Sequence, residues 1–290
     1  VNSQHLPLLV DADSVLRAAA DRGFSLPPLI WDDDCPSTND DLARLVRENA
    51  ANGTPLAEFT IRGTDFQNSG HGRLGRTWTV PARRSLTWSI LLTPPAGFTR
   101  WGWIALIAGE AVRSAVAEVG VPAVIKWPND VLTAEGKKLC GILARIEPLA
   151  SGPQIVLGIG LNTRLEPADL PRADASSIAI ETGRHGSEID HEALLVSILS
   201  TLIPCLRELA EYGETDFRSS TAAQRVREHM VTLGTRVRVE KPDGSDLIGI
   251  ATGLDSDADL IIDDRVSVSA GDVHHLRPVA PPTAPTEGER

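Results

Sequence analysis

The chain alternates between two hydrophobic rhythms. Short apolar runs rich in β-branched and aromatic residues read as strands at 29–31, 59–62, 85–92, 124–127, 131–133, 139–146 and 155–161. Elsewhere apolar positions recur every three to four residues, the period of a helix with one buried face. Ile104, Ile107, Ala108, Ala111, Val112 and Ala115 predict a long amphipathic helix over 101–119. Leu194, Leu195, Ile198, Leu199, Leu202 and Leu206 predict a second, and a shorter helix follows over 217–228. Leu42, Leu45 and Val46 share one face of a helix that Ser37 or Thr38 can cap. Val15, Leu16 and Ala19 give a short helix that Gly23 stops. Glu135-Gly136 is the hinge of the clearest hairpin.

Two stretches depart from this rhythm. Residues 163–188 are rich in Pro, Asp, Ala and Ser and predict a long loop, with a short strand or turn around Ile178. A loop of that length in a compact domain is often functional. From Leu233 the strands become short, at 235–239, 247–254, 260–262 and 266–269. Pro242-Asp243-Gly244 and Asp255-Ser256-Asp257 separate them, which predicts a small β-barrel of about 45 residues. The expected organisation is an N-terminal extension (1–30), an α+β body (31–231), the barrel (232–278) and a Pro-rich disordered tail (279–290).

Composition narrows the function classes. With 290 residues, 42% of them hydrophobic, the chain can bury a substantial core. A net charge of −11 argues against a nucleic-acid protein, which normally shows a basic face. Cys35, Cys140 and Cys205 lie far apart with no Cys-x-x-Cys, so neither a disulfide framework nor a zinc site is indicated, and a reducing cytoplasm fits. No apolar run approaches the roughly 18 residues that span a bilayer. Asp11, Asp13 and Arg17 interrupt the start too early for a signal peptide. The chain begins with Val and its only Met is Met230, so a preceding piece stays open.

The chemistry-bearing segment is Gly70-His71-Gly72-Arg73-Leu74-Gly75-Arg76-Thr77-Trp78, three glycines and two arginines within seven residues. Gly70, Gly72 and Gly75 let main-chain N–H groups approach an anion. Arg73 and Arg76 offer forked donors that match phosphate or carboxylate oxygens. A second segment, Lys126-Trp127-Pro128-Asn129-Asp130, precedes a turn and then Lys138-Leu139-Cys140-Gly141-Ile142-Leu143. Ser37-Thr38-Asn39 comes before both, and Gly158 to Asn162 follows as Gly-x-Gly-x-Asn.

These five elements, in this order, resemble the biotin protein ligases. That family's signatures read Gly-Arg-Gly-Arg-x-Gly-Arg-x-Trp, Lys-Trp-Pro-Asn-Asp and Lys-Leu-x-Gly-Ile-Leu. The resemblance spans most of the chain and departs at His71, where the family usually has Arg. It implies a class II aminoacyl-tRNA synthetase-like, biotin–lipoate ligase catalytic domain with a mixed sheet and flanking helices, followed by an SH3-like barrel. It implies that ATP activates biotin as biotinyl-5′-AMP, and that a lysine of a biotin carboxyl carrier domain then takes the biotin. The carrier would belong to an acyl-CoA, acetyl-CoA or pyruvate carboxylase. Neither half needs an enzyme nucleophile, and the sequence offers none beside a base.

By resemblance Arg73 and Lys138 contact the biotin carboxylate and the α-phosphate, and with Asp130 they form the catalytic set. Ser37, Thr38, Asn39, Gln67, Gly70, His71, Gly72 and Gly141 fall on the biotin side. Arg76, Trp78, Asn129 and Asn162 fall on the adenylate side, Trp78 near the adenine. Ser37 and Thr38 compete as helix caps, Asn162 as a turn residue and Gly141 as a bulge glycine. Asp130 can hold Mg²⁺, accept the lysine proton or close a turn. Trp127 is expected in the core. A lipoate or octanoate ligase is the neighbouring alternative, disfavoured by the intact Lys-Trp-Pro-Asn-Asp and the glycine–arginine loop. A biotin-responsive transcription regulator is another, disfavoured by the short segment before Ser37. The expectation is therefore a cytoplasmic ligase without a DNA-binding domain, no membrane partner, and a monomer or weak homodimer.

Overall fold

The structure is a computed structural model that describes residues 8–212 and 216–276. Its first nine strands are β1 (Leu29–Asp32), β2 (Ile61–Thr64), β3 (Gly70–His71), β4 (Thr77–Trp78), β5 (Ser85–Leu92), β6 (Ala123–Lys126), β7 (Asp130–Thr133), β8 (Lys138–Leu149) and β9 (Gly152–Asn162). Seven of them form one mixed sheet in the order β1-β2-β5-β9-β8-β7-β6, with only β1 and β2 parallel. β3 and β4 pair with each other as a separate two-stranded ribbon.

Helices cover both faces of the central strands, so all eight residues of β5 are buried. Trp88, Ile90 and Leu92 join the main core, which also takes the apolar faces of α3 (Trp101–Glu118) and α5 (His191–Glu211). The alternate residue Leu91 packs with Val156 of β9 against Leu42, Ala43 and Val46 of α2 (Thr38–Ala51). Ser37 caps α2 by accepting the Asp40 N–H at 3.3 Å, and Asp40 and Asp41 in the first turn complement the helix dipole. Ahead of the sheet, α1 (Ala12–Asp21) packs on α5, and the Leu9 N–H reaches the Asp65 carboxylate at 3.0 Å. Among the described residues α5 alone is long and apolar enough to cross a membrane, but Leu194, Leu195, Ile198, Leu199 and Leu202 are buried in the core.

A second sheet of five antiparallel strands closes the described chain. β10 (Arg236–Glu240), β11 (Asp246–Leu254), β12 (Leu260–Ile262), β13 (Val266–Val268) and β14 (Asp272–His275) are arranged β13-β12-β11-β10-β14. It docks on the main body through two indoles: Trp103 Nε1 donates to Ser256 O at 2.8 Å and Trp127 Nε1 to Ala258 O at 3.0 Å.

The structure departs from the sequence expectation in four places. β2 begins at Ile61 rather than Phe59, because Phe59 turns the chain with φ of 66°. The 163–188 segment contains a helix, α4 (Ile178–Thr182), where a strand or turn was expected. Ser177 caps it and Gly183 ends it in the left-handed region, and one turn and a half is too short for periodicity to reveal. The glycine–arginine loop is a folded hairpin, β3 to β4 with a 3-10 turn at Arg73–Gly75. β14 was not anticipated at all. α6 (Thr221–Glu228) lies within the predicted 217–228 helix, after a 3-10 turn at Phe217–Ser219. The predicted disorder over 279–290 lies outside the described residues.

Candidate active site

A cavity of about 640 Å³ opens on the face of the large sheet that α2 covers only in part. Cross-strand register explains its floor. Thr87, Gly160, Gly141, Asp130 and Lys126 are successive partners across β5, β9, β8, β7 and β6, so their side chains share one face. Two adjacent glycines in that row leave a trough beside the acidic and basic residues. The Trp78 indole lies in the trough: a Cβ on Gly160 would sit 2.8 Å from Trp78 Cε2, and one on Gly141 3.2 Å from Trp78 Cζ3. Gly141 itself pairs in register with Asp130 and Gly160 and serves close approach, while the β7–β8 register shifts just before it, between Cys140 and Lys138. Trp78 Nε1 is buried without a partner among the described residues.

The N-terminus of α2 forms one polar end. Gln67 Oε1 accepts from the Thr38 N–H at 2.7 Å and from Thr38 Oγ1 at 3.0 Å. Ser89 Oγ lies 2.7 Å from Thr38 Oγ1 and 2.6 Å from Asn39 Oδ1, and Asn39 Nδ2 donates to Leu143 O at 3.1 Å. Ser37, Thr38 and Asn39 are all buried here. Gly70 is pressed between the Trp78 carbonyl and the Gln67 amide, where no Cβ fits. Gly72 and His71 line the cavity, and the His71 ring pairs with Asp40 at 2.8 Å, a carboxylate shared with Arg145 at 2.7 Å.

The charged end gathers side chains from several segments. Lys138, first residue of β8, holds Asp130 at 2.6 Å across the hairpin. Arg73 donates weakly to Asn129 Oδ1 at 3.4 Å and to Gly271 O at 3.3 Å, while Asn129 Nδ2 is fixed to Ile142 O at 2.6 Å. Burial holds the Arg73 guanidinium below its ordinary pKa, and Asp272 and Asp130 oppose that shift. Arg76 pairs with Asp272 of β14. Asn162 turns its amide to Ser176 O at 3.0 Å, tying β9 to the loop that carries Arg172 and Asp174. Across the lining, Arg73, Arg76, Lys126, Lys138 and Arg172 face only Asp130, Asp174 and Asp272, which leaves an excess of positive charge for an anion.

All fifteen residues singled out from the sequence meet at this cavity or, for Gly70, pack directly on its wall. Trp127 lines it too while its indole is buried against the C-terminal sheet. Sequence reasoning gave no role to Lys126, Arg172, Asp174, Asp272 or His274. Lys126 stood in the Lys126–Asp130 segment without a role of its own, the length and composition of the 163–188 loop flagged Arg172 and Asp174, and nothing local flags Asp272 or His274. No thiol here is prepared for attack: burial pushes the Cys140 thiol well up and the Cys35 thiol to about 11.

Residues 36–162 match the Biotin/lipoate A/B protein ligase family. The biotin--[acetyl-CoA-carboxylase] ligase of Mycobacterium tuberculosis is 38% identical over 250 residues, covering 83% of this chain and 86% of that protein. The ligase of the same name from Paracoccus denitrificans is 30% identical over 203 residues, covering 68% of this chain and 80% of its own. The fold is that of the biotin protein ligase from Aquifex aeolicus solved with biotin and ATP, with a TM-score of 0.67, 23% identity, and coverage of 86% and 99% of the two chains. With a relative that similar along nearly its whole length, and with the glycine hairpin, the Lys126–Asp130 segment and the Lys138 strand meeting at one cationic trough, the chain belongs to the biotin protein ligases.

Proposed function

We propose that this chain activates biotin with ATP and transfers it to a lysine of a carboxyl carrier domain, working in the cytoplasm. The observation that carries the reading is the shape and charge of the cavity: a polar pocket, a glycine trough and a cationic end, with no activated nucleophile. Acyl adenylation asks for just this, since two anions must be brought together and water kept off the anhydride.

In this reading the ureido ring of biotin is taken by Ser37, Thr38, Asn39 and Gln67, which supply both donors and acceptors. Ser37 keeps its capping bond at the same time. Trp78, whose indole lies over Gly141 and Gly160, offers its face to the adenine. Gly70, His71 and Gly72 line the wall, and Gly141 lets the ligand lie near the strand. Arg73 and Lys138 bring the biotin carboxylate against the α-phosphate and neutralise both. The carboxylate oxygen bonds to phosphorus and pyrophosphate departs. Arg76, Asn129 and Asn162 serve the nucleotide side. In the second half the carrier amine attacks the acyl carbon, and Asp130, once released from Lys138, accepts its proton as AMP leaves.

Among the described residues no three His, Cys, Asp or Glu gather to hold a metal. A single carboxylate, Asp130, suits a Mg²⁺ ion that arrives on nucleotide oxygens and takes one protein ligand. When bound, that ion supplies positive charge to the phosphates.

The test is incorporation of labelled biotin into a carrier domain with ATP and Mg²⁺, for wild type and Lys138→Ala. Transfer by the wild type, reduced at least about a hundredfold by the substitution, is the expected result. Transfer of lipoate or octanoate in place of biotin would move the substrate. No acyl transfer would end the ligase reading.

A further inference from the structure

The ribbon of β3 and β4 belongs to neither large sheet, so its base and its side chains hold it over the cavity. Backbone bonds fix the base: the Cys35 N–H donates to Phe66 O at 3.0 Å and the Ser69 N–H to Pro36 O at 2.9 Å. Beyond the base, Arg76 pairs with Asp272 on one flank, and the His71 ring reaches Asp40 at 2.8 Å on the other. Asp40 follows Asn39 in the first turn of α2 and lies outside the cavity lining, and no step of the mechanism uses it.

The second oxygen of Asp40 accepts from Arg145 of β8 at 2.7 Å, and Arg145 is itself anchored on the buried Glu147 carboxylate at 2.6 Å. One carboxylate therefore ties together the head of α2, which carries Ser37, Thr38 and Asn39, the large sheet, and the wall residue His71. Arg145 holds Asp40 at any ordinary pH, because a guanidinium keeps its charge. An imidazole does not, since it is the side chain that changes charge around neutrality. Protonated, His71 gives Asp40 an ion pair as well as a hydrogen bond; neutral, it gives the hydrogen bond alone. The other charged groups nearby are engaged elsewhere. On α2, Asp41 takes Arg44 and Arg62, each at 2.6 Å; on β8, Arg145 is shared between Asp40 and Glu147. On the hairpin itself, Arg73 turns to Asn129 and Gly271, and Arg76 to Asp272.

We propose that Asp40 is a positioning residue: through His71 it latches the glycine hairpin to the head of α2 and slows escape of the adenylate, and the latch slackens as the His71 ring loses its proton. The change is one of charge at a ring nitrogen, and no covalent bond is made or broken. This inference rests on the ligase reading, so its test separates the two.

Labelled biotinyl-adenylate, supplied to the enzyme and chased with unlabelled adenylate in the absence of carrier, reads escape without any catalytic step. Wild-type escape should quicken about two- to fivefold between about pH 5.5 and 8.5, the scale of a half-exposed ion pair. Asp40→Asn should release the adenylate at least about twofold faster at the acid end and lose the pH slope. His71→Gln should behave likewise, and the double variant should lose no more than either alone. Asp40→Glu, which keeps the charge, should recover the slope. Arg145→Ala, which leaves both partners in place, should retain it. An Asp40→Asn protein with a lower thermal midpoint but an unchanged pH slope of escape would overturn the latch, and so would a slope that Arg145→Ala abolishes and His71→Gln spares. A wild type that shows the latch with supplied adenylate, yet exchanges no pyrophosphate into ATP with biotin present, would instead remove the ligase reading. Failure to bind supplied adenylate at all would remove both.

Discussion

At the residue scale, glycine placement governs how near anything can come to the sheet. A Cβ on Gly158 would lie 2.3 Å from Asn39 Oδ1, so Asn39 must give way. Gly158→Ala should break the Asn39 contacts to Ser89 and the Leu143 carbonyl, destabilising the fold by about 1–3 kcal/mol. Biotin affinity should fall with it while ATP affinity changes less, which unfolding and separate ligand titrations would show. A different residue gives a pH signature. Burial, with Asp255 and Asp257 close by, raises Asp259 from 3.8 to about 6. The folded state then holds this proton more tightly than the unfolded one. The resulting stability is full below the unfolded value and is lost as pH rises through about 6. Asp259→Asn should therefore be more stable than wild type at pH 8, by about 1 kcal/mol or less because the group is half exposed. The gap should close only below roughly pH 3, where both states are protonated; a gain independent of pH in thermal unfolding would refute this cause.

At the element scale, the hairpin from β3 to β4 is one wall of the site, and β14 of the second sheet holds it. Arg76 pairs with Asp272, and Arg73 reaches the Gly271 carbonyl. Asp272→Arg should loosen this wall and raise adenylate escape about two- to fivefold, the scale of an exposed ion pair. Arg73→Gly should act in the same direction and more strongly, since under the proposed function it would remove an anchor of the adenylate itself. Labelling of a bystander such as albumin would report escape, and no increase for Arg73→Gly would count against that role. The sequence made the hairpin's residues legible through their spacing and charge, but not its form. Strands of two residues are too short for alternation, and α4 is too short for a helical period. The long helices and the β7–β8 hairpin were readable because periodicity and the turn at Gly136 are local signals. The Arg76–Asp272 contact joins residues 196 apart, and no local pattern records it.

At the scale of the whole molecule, the two sheets are coupled through both core and cavity. Val237, Val239, Leu260 and Val273 of the C-terminal sheet belong to the same apolar cluster as Trp88, Ile107 and Leu202. The contact is close as well: a Cβ on Gly102 would stand 2.4 Å from the Asp257 carbonyl. An interface of this kind makes separate unfolding unfavourable, because either part alone would expose the shared core and the carbonyls of Ser256 and Ala258. The wild type should therefore unfold in one step, with tryptophan fluorescence and far-UV circular dichroism giving coincident transitions. Trp103→Phe keeps the aromatic packing on Phe217 but leaves the Ser256 carbonyl without its donor, at a cost of about 1–3 kcal/mol. That substitution should lower the midpoint of both probes together, although Trp103 lies outside the cavity lining. Both sheets line the cavity, so a non-hydrolysable adenylate analogue seated there would touch both and should raise the single midpoint, by about 2.7 kcal/mol at a hundred times its Kd. If the probes separate in the free protein and merge only with the analogue, the ligand rather than the Trp103 and Trp127 contacts is what joins the two sheets.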